Sequence, residues 1–238
     1  MGLKESGLRG SLRNVSVGID AIPDRVVDNF EENGGIYNDV SLSDVYSGDL
    51  ASFSRISGGI TGDFVLENAS ESGELISSQP DDGLNRYPDA GETVEFALKD
   101  GANGNESTEP SVCFMVEDSS NPSGYVFHFL PNTDRISISS TNDITSLTSS
   151  SDDDIAITSD ISELTVGEFF WFEAKLPSSE DDEISLEVFE NDDGEKGDSI
   201  GKISANNDDH VGQQGVGYHS TRTSGDGLAY VDIVQIVE

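Results

Sequence analysis

The chain has 238 residues, with 47 acidic against 12 basic side chains and a formal net charge of −35. So negative a surface repels nucleic acid and anionic membranes, which excludes both as direct partners. A hydrophobic share of 34%, with eleven Phe, six Tyr and one Trp, excludes a disordered polyanion.

The single cysteine, Cys113, rules out an internal disulfide and a cysteine zinc cluster. It lies in the apolar run Val112-Cys-Phe-Met-Val116 and is expected as a small buried side chain. No calcium-loop motif and no nonapeptide repeat is present. The remaining account of the charge is a hydrated acid coat suited to concentrated salt, where the screening length falls to about 3 Å.

Residues 1–24 differ from the rest. Lys4, Arg9 and Arg13, set against Glu5 and Asp20, remove the excess acid found elsewhere, and glycines at 2, 7, 10 and 18 oppose a helix. Leu3, Leu8 and Leu12 supply apolar teeth. This stretch is expected to be an extended arm that orders against a partner, ahead of a domain spanning 25–238. It holds no apolar run of signal-peptide length, no twin arginine and no membrane span.

From residue 25 the chain reads as strands and polar turns, without a convincing helix. Period-two alternation and turn signals predict strands at 26–30, 51–56, 63–68, 73–77, 93–99, 111–117, 124–130, 135–140, 155–158, 169–176, 183–190, 199–204, 215–219 and 227–237. Val94, Phe96 and Leu98 share one face, as do Ile184, Leu186 and Val188, and Phe170, Phe172 and Ala174. The Ser/Thr/Asp-rich run 139–154 is expected as an exposed loop.

So many strands without crossover helices mean antiparallel sheets closed as a two-sheet jelly-roll sandwich, an all-β fold. The last strand is apolar on both faces, which suits the interior of a sheet. Alternation puts Val231, Ile233 and Val237 on one side and Tyr230, Val234 and Ile236 on the other. Its expected neighbour is Arg25–Glu31, so the two ends of the chain close the domain.

Five segments in order, Val27-Asp-Asn-Phe-Glu31, Leu84–Phe96, Tyr125–Ile136, Trp171-Phe-Glu173 and Gly215-Val-Gly-Tyr218 with Tyr230-Val-Asp-Ile233, carry a resemblance. The chain resembles the concanavalin A-like (laminin-G-type) jelly-roll modules encoded by haloarchaea and their viruses. The leader Ser6–Pro23 is similar to leaders that precede such modules. The resemblance implies a carbohydrate-facing sandwich, often without enzymatic activity, displayed on cell surfaces or on virus capsids and tails. The expected protein is therefore a virion structural or adhesion protein, a turret, decoration or tail fibre. It would be homo-oligomeric, sit at the virion surface in high salt, bind host surface glycans, and join other virion proteins through Leu3, Lys4, Leu8, Arg9, Leu12 and Arg13. Without an export signal, release with the particle is the expected way out of the cell. A host cell-surface adhesin is a rival expectation.

Related jelly rolls hold a structural Ca²⁺ between first and last strands, which makes Asp28, Glu31 and Asp232 the candidate ligands here. Ca²⁺ takes six to eight oxygens, and a lone acid in an apolar strand calls for a cation or hydrogen-bond donors. For sugar, the candidates are His128, Arg135, Trp171 and Glu173: an aromatic plate with polar and charged groups beside it. Glycoside hydrolases of this fold carry Glu-x-Asp-x-Glu on one strand. Glu183-Ile-Ser-Leu-Glu187 keeps the outer pair, with the right parity, but has Ser185 in the centre. His128, His210 and His219 are the only histidines, and no G-x-S-x-G elbow is present, so neither a triad nor a catalytic zinc is expected. The enzyme alternative is a glycan-degrading hydrolase using Glu183 and Glu187.

Overall fold

Successive side chains on a strand point to opposite faces, so a segment that alternates apolar and polar residues buries one face in a sheet. That rule accounts for nearly every element in the computed structural model of the chain. The structure describes residues 24–32, 36–37, 40–69, 73–77, 84–101, 107–117, 120–147, 153–158, 160–224 and 228–237. The six arm residues named above, Leu3 to Arg13, lie outside the described residues.

Every predicted strand is present. In chain order they are β1 (Val26–Asp28), β2 (Ser47–Gly48), β3 (Phe53–Ser57), β4 (Phe64–Asn68), β5 (Gly73–Ser77), β6 (Thr93–Asp100), β7 (Ser107–Val116), β8 (Gly124–Leu130), β9 (Arg135–Thr141), β10 (Asp154–Thr158), β11 (Phe169–Lys175), β12 (Glu183–Asp192), β13 (Glu195–Asn206), β14 (Gly215–Ser224) and β15 (Ala229–Val237). Among the described residues, β2, a one-turn helix, α1 (Leu42–Val45), and two 3-10 turns, Pro131–Thr133 and Ile144–Ser146, were not anticipated. The α1 turn forms because Asp44 accepts the Ser41 backbone N–H at 2.8 Å, an N-terminal capping bond.

All pairings are antiparallel. One sheet runs β13-β12-β11-β6-β15-β4-β3, with β1 added against β15; the other runs β10-β9-β8-β7-β14-β5-β2. The sheets pack face to face over a chain of aromatic rings. Phe96 stacks on Phe172 at 5.5 Å, Phe172 meets Phe129 at 5.3 Å, and Phe96 continues through Phe114 to Phe127. These are the inward residues of the alternating runs, taken from both sheets. Cys113 is buried as expected, and burial pushes its thiol pKa well up, so it is an inert packing group.

The ends of the chain do close the sheet: Val26 pairs with Gln235 and Asp28 with Val234. The faces of β15, however, differ from strict alternation. Its pairing with β6 skips a residue between Asp232 and Val234, and Ile233 has a positive φ of 31°. This bulge flips the parity, so Val231, Val234 and Ile236 all face the core, while Tyr230 and Ile233 lie on the outer surface.

The bulge sits where β15 changes neighbour. β4 pairs with Ala229–Val231, and β1 with the segment beyond. The tip of the β3–β4 hairpin fills the junction, and Gly59 permits the approach, since a Cβ there would lie 2.7 Å from the Phe64 carbonyl oxygen. A second departure concerns 139–154. Its described part is not a plain exposed loop: Ile144 and Leu147 are buried against Ile76, Cys113, Val116 and Val126 on the outer side of the second sheet. Apolar residues spaced by three in the short 3-10 turn Ile144–Ser146 and its following residue supply that lid.

Candidate functional site

The outer face of the first sheet carries the only tryptophan. On β11, Phe170, Phe172 and Ala174 face the core, so Trp171, Glu173 and Lys175 point outward, as alternation predicts. Cross-strand register then aligns polar residues in one row: Lys202 opposite Glu187, Glu187 opposite Glu173, Glu173 opposite Glu95, and Glu95 opposite Gln235. Three glutamates side by side would repel one another without cations. Lys196 supplies one, bonding both Glu95 (2.5 Å) and Glu173 and lying 5.1 Å from the Phe189 ring centre. Gln235 donates to the other Glu95 oxygen at 2.7 Å, and Lys202 donates to Glu187 at 3.2 Å.

Burial pulls the Lys196 pKa down, but the bonds to Glu173 and Glu95 outweigh it and hold the ammonium above its ordinary value. Glu187 shows the mirror case. Burial raises it, yet Ser199 and Lys202 bring it below the usual carboxylate range.

A cleft of about 590 Å³ opens beside this row, bounded by Trp171, Glu95, Lys196, Gln235, Arg25 and the hairpin residues Ile60 and Thr61. Asp193 and Glu195 also line it. Trp171 is only 4% exposed, packed with Val65, Ala97 and Phe169. It is therefore not the open stacking plate expected from the sequence. What it offers instead is an indole Nε1–H that is buried without any acceptor. A donor left unpaired in this way costs about 1–3 kcal/mol.

The other sugar candidates are placed elsewhere. His128 projects from the outer side of the second sheet, so the sandwich lies between it and Trp171. It is fully buried, with Nδ1 2.8 Å from the Ser111 hydroxyl and Nε2 3.0 Å from that of Ser139. It is a satisfied sheet histidine. Arg135 is exposed at the start of β9 in that same sheet. Of the four, the structure brings together only Trp171 and Glu173. His219, on the outer side of β14, has a buried Nδ1 with no partner, and burial lowers its pKa to about 4.

The three proposed calcium ligands do not fit a cation. Asp28 lies in a tyrosine cage, its Oδ2 accepting from the hydroxyls of Tyr46 (2.5 Å) and Tyr37 (2.9 Å) and its Oδ1 from the Phe30 N–H (3.0 Å). Asp232 accepts the N–H groups of Ile60 (2.5 Å), Thr61 (3.1 Å) and Ile233 (2.8 Å). Glu31 accepts the Phe64 N–H at 3.0 Å. Hydrogens, not lone pairs, surround these oxygens, so they are hydrogen-bond acceptors for the strand junction. Among the described residues no three His, Cys, Asp or Glu side chains gather in a metal-binding group.

The sequence-based reading missed Lys196, Glu95, Gln235, Arg25 and the hairpin tip. Alternation on β6 does mark Glu95 as outward, and the turn Asn191-Asp-Asp-Gly194 does announce a hairpin carrying Lys196 back across the face. Nothing in one dimension says they meet.

With the cleft in view, the fold is a two-sheet antiparallel jelly roll similar to that of legume lectin-like domains. A legume lectin-like domain from Entamoeba histolytica superposes with a TM-score of 0.53 at 11% identity, over 79% of this chain and 91% of that one. The exoplasmic/lumenal domain of VIP36, in its Ca²⁺/Man3GlcNAc-bound form, superposes with a TM-score of 0.51 at 9% identity, over 84% and 87% of the two chains. No protein-family model matches the chain, and no curated protein matches it in sequence. At these identities the likeness is one of fold.

Proposed function

We propose that the chain is a non-catalytic glycan-binding jelly roll whose sugar site is the Trp171 cleft, displayed on a haloarchaeal virus particle in high salt. One observation carries the binding part: Trp171, whose buried indole N–H has no acceptor, lines a polar cleft with Arg25, Lys196, Glu95 and Gln235, so a sugar that parts the hairpin tip from the sheet can supply the missing acceptor. The fold shared with a lectin-like domain and with sugar-bound VIP36 supports carbohydrate as the ligand class. Both carboxylates of the rival hydrolase pair are engaged by lysines, Glu183 by Lys175 at 3.1 Å and Glu187 by Lys202 at 3.2 Å, and Ser185 stands between them in place of a third acid, which supports binding over hydrolysis.

The virion part rests on the resemblance of leader and modules to haloarchaeal virus proteins, and on the acid coat. Symmetric repetition on a particle would turn weak single sites into strong attachment.

Trp171→Phe keeps the ring's bulk and removes the N–H. It is expected to weaken sugar binding about tenfold, measured by calorimetry in molar KCl. Unchanged affinity would remove the cleft as the site. Deleting residues 1–24 is expected to abolish incorporation into particles while leaving sugar binding intact. Normal incorporation of the shortened chain would contradict the virion placement.

A further inference from the structure

The cations of this very acidic chain are not spread evenly. Four of its five lysines, Lys99, Lys175, Lys196 and Lys202, project from the outer face of the first sheet; the fifth, Lys4, lies outside the described residues. Two of them, Lys196 and Lys202, balance the glutamate row, while Lys175 pairs with Asp181 and Glu183 and Lys99 lies over the Phe169 and Tyr230 rings. The Trp171 cleft still holds hydrogen-bond donors that its own carboxylates do not use. Lys196 has three N–H groups and gives two of them to Glu95 and Glu173. Arg25 lines the same cleft, and among the described residues no carboxylate pairs with it. Its position is fixed by the main chain: the Ile236 N–H donates to the Arg25 carbonyl at 2.7 Å, and the next residue pairs with Gln235. Arg25 thus stands at the end of the Glu95–Gln235 row.

A second cleft on the molecule, about 720 Å³, makes the contrast. It is lined by Glu163, Glu168, Glu190, Asp192 and Asp198 and has no base. The Trp171 cleft also carries carboxylates, Glu95, Asp193 and Glu195, but it sets Arg25 and Lys196 among them, so a ligand carboxylate has two cationic partners there and none in the larger cleft. Arginine presents a planar fork that matches a carboxylate in two bonds, which a neutral hydroxyl cannot equal. Asp193 and Glu195, exposed at the mouth, suit the hydroxyl groups that the same sugar also carries.

We propose that the cleft selects a uronic acid: its carboxylate is taken by Arg25 and the remaining Lys196 N–H, and a ring oxygen or hydroxyl accepts from Trp171 Nε1. The proposal rests on the glycan-binding function and narrows its substrate class.

The single tryptophan makes the test direct, since indole fluorescence reports this cleft alone. Titrate the full chain in molar KCl with an oligoglucuronate, with its methyl ester, and with a neutral gluco-oligosaccharide of equal length. In that salt long-range attraction is screened within about 3 Å, so a preference for the acid reports direct contact. The acid is expected to shift Trp171 emission saturably, and its ester to bind at least about tenfold more weakly. Arg25→Gln, at an exposed side chain, is expected to narrow that gap to about twofold with an unchanged melting temperature. Equal binding of acid and ester, binding of the neutral sugar alone, or a gap that survives Arg25→Gln would overturn the uronate selectivity and leave the glycan function standing. If no sugar, acidic or neutral, moves the Trp171 emission, both fall.

Discussion

Replacing Asp28 by alanine is expected to destabilise the fold by about 3–5 kcal/mol, the range for removing one member of a buried, hydrogen-bonded charge cluster. Its carboxylate is fully buried at the end of β1 and collects the Tyr46 and Tyr37 hydroxyls and the Phe30 N–H, with the Tyr218 hydroxyl at 3.5 Å. Alanine leaves those donors buried and unpaired, at the junction that joins the first strand to the last. Phe30, held at a positive φ of 55°, loses its restraint at the same time.

The same group gives an unusual pH dependence. Burial raises the Asp28 pKa from 3.8 to about 6, with the tyrosine and backbone bonds pulling partly back. A carboxyl whose folded pKa is raised contributes stability that is complete below its unfolded pKa and lost as pH rises through the folded one. Between pH 7 and pH 4 the protein therefore gains on the order of 3 kcal/mol from this site. Acidification in that window strengthens the fold, against the usual trend for an acidic protein. Protonation elsewhere also relieves repulsion, so the control is Asp28→Asn, whose urea-unfolding free energy should rise less steeply over the same range. Parallel slopes in the two proteins would show that Asp28 does not titrate as described.

The second large effect is at Asp232. Asp232→Asn preserves shape but turns one acceptor into an NH₂, facing either the Ile60 and Thr61 N–H groups at Oδ2 or the Ile233 N–H and Thr61 hydroxyl at Oδ1. The expected loss is about 2–3 kcal/mol, since buried donors are left unpaired. It should also weaken sugar binding, because Ile60 and Thr61 form one wall of the Trp171 cleft. Loss of stability with unchanged affinity would separate the hairpin from the site. Urea unfolding and calorimetry on one preparation decide the matter.

Most of the fold was readable along the chain because each strand has an inward apolar set at period two and a turn signal at its ends. Phe170, Phe172 and Ala174, or Val94, Phe96 and Leu98, leave little freedom of register once one face must be dry. The last strand was harder. Its residues are apolar on both sides, so alternation alone could not locate the bulge at Asp232 and Ile233, and that bulge follows from a change of neighbouring strand. The run 139–154 misled for a related reason: composition marked it polar, while two spaced apolar residues, Ile144 and Leu147, decided its packing.

The site was less legible than the fold. Parity put Trp171 and Glu173 on an outer face, but it said nothing of burial, and the indole belongs to a buried cluster with Val65 of β4 and Ala97 of β6. Lys196 meets Glu95 across 101 residues of chain, a contact that only the sheet order creates. The carboxylates nominated for calcium were correctly singled out as unusual acids in apolar strands. What satisfies them is a set of tyrosine hydroxyls and hairpin N–H groups, none of which has a sequence signature.

The most direct measurement is a crystal structure of the chain with a bound oligosaccharide. The account predicts sugar density in the cleft between the β11–β6–β15 face and the hairpin tip, with an oxygen within hydrogen-bonding distance of Trp171 Nε1. Sugar seated on the opposite sheet, around His128 or Arg135, with the indole N–H still unpaired, would contradict it.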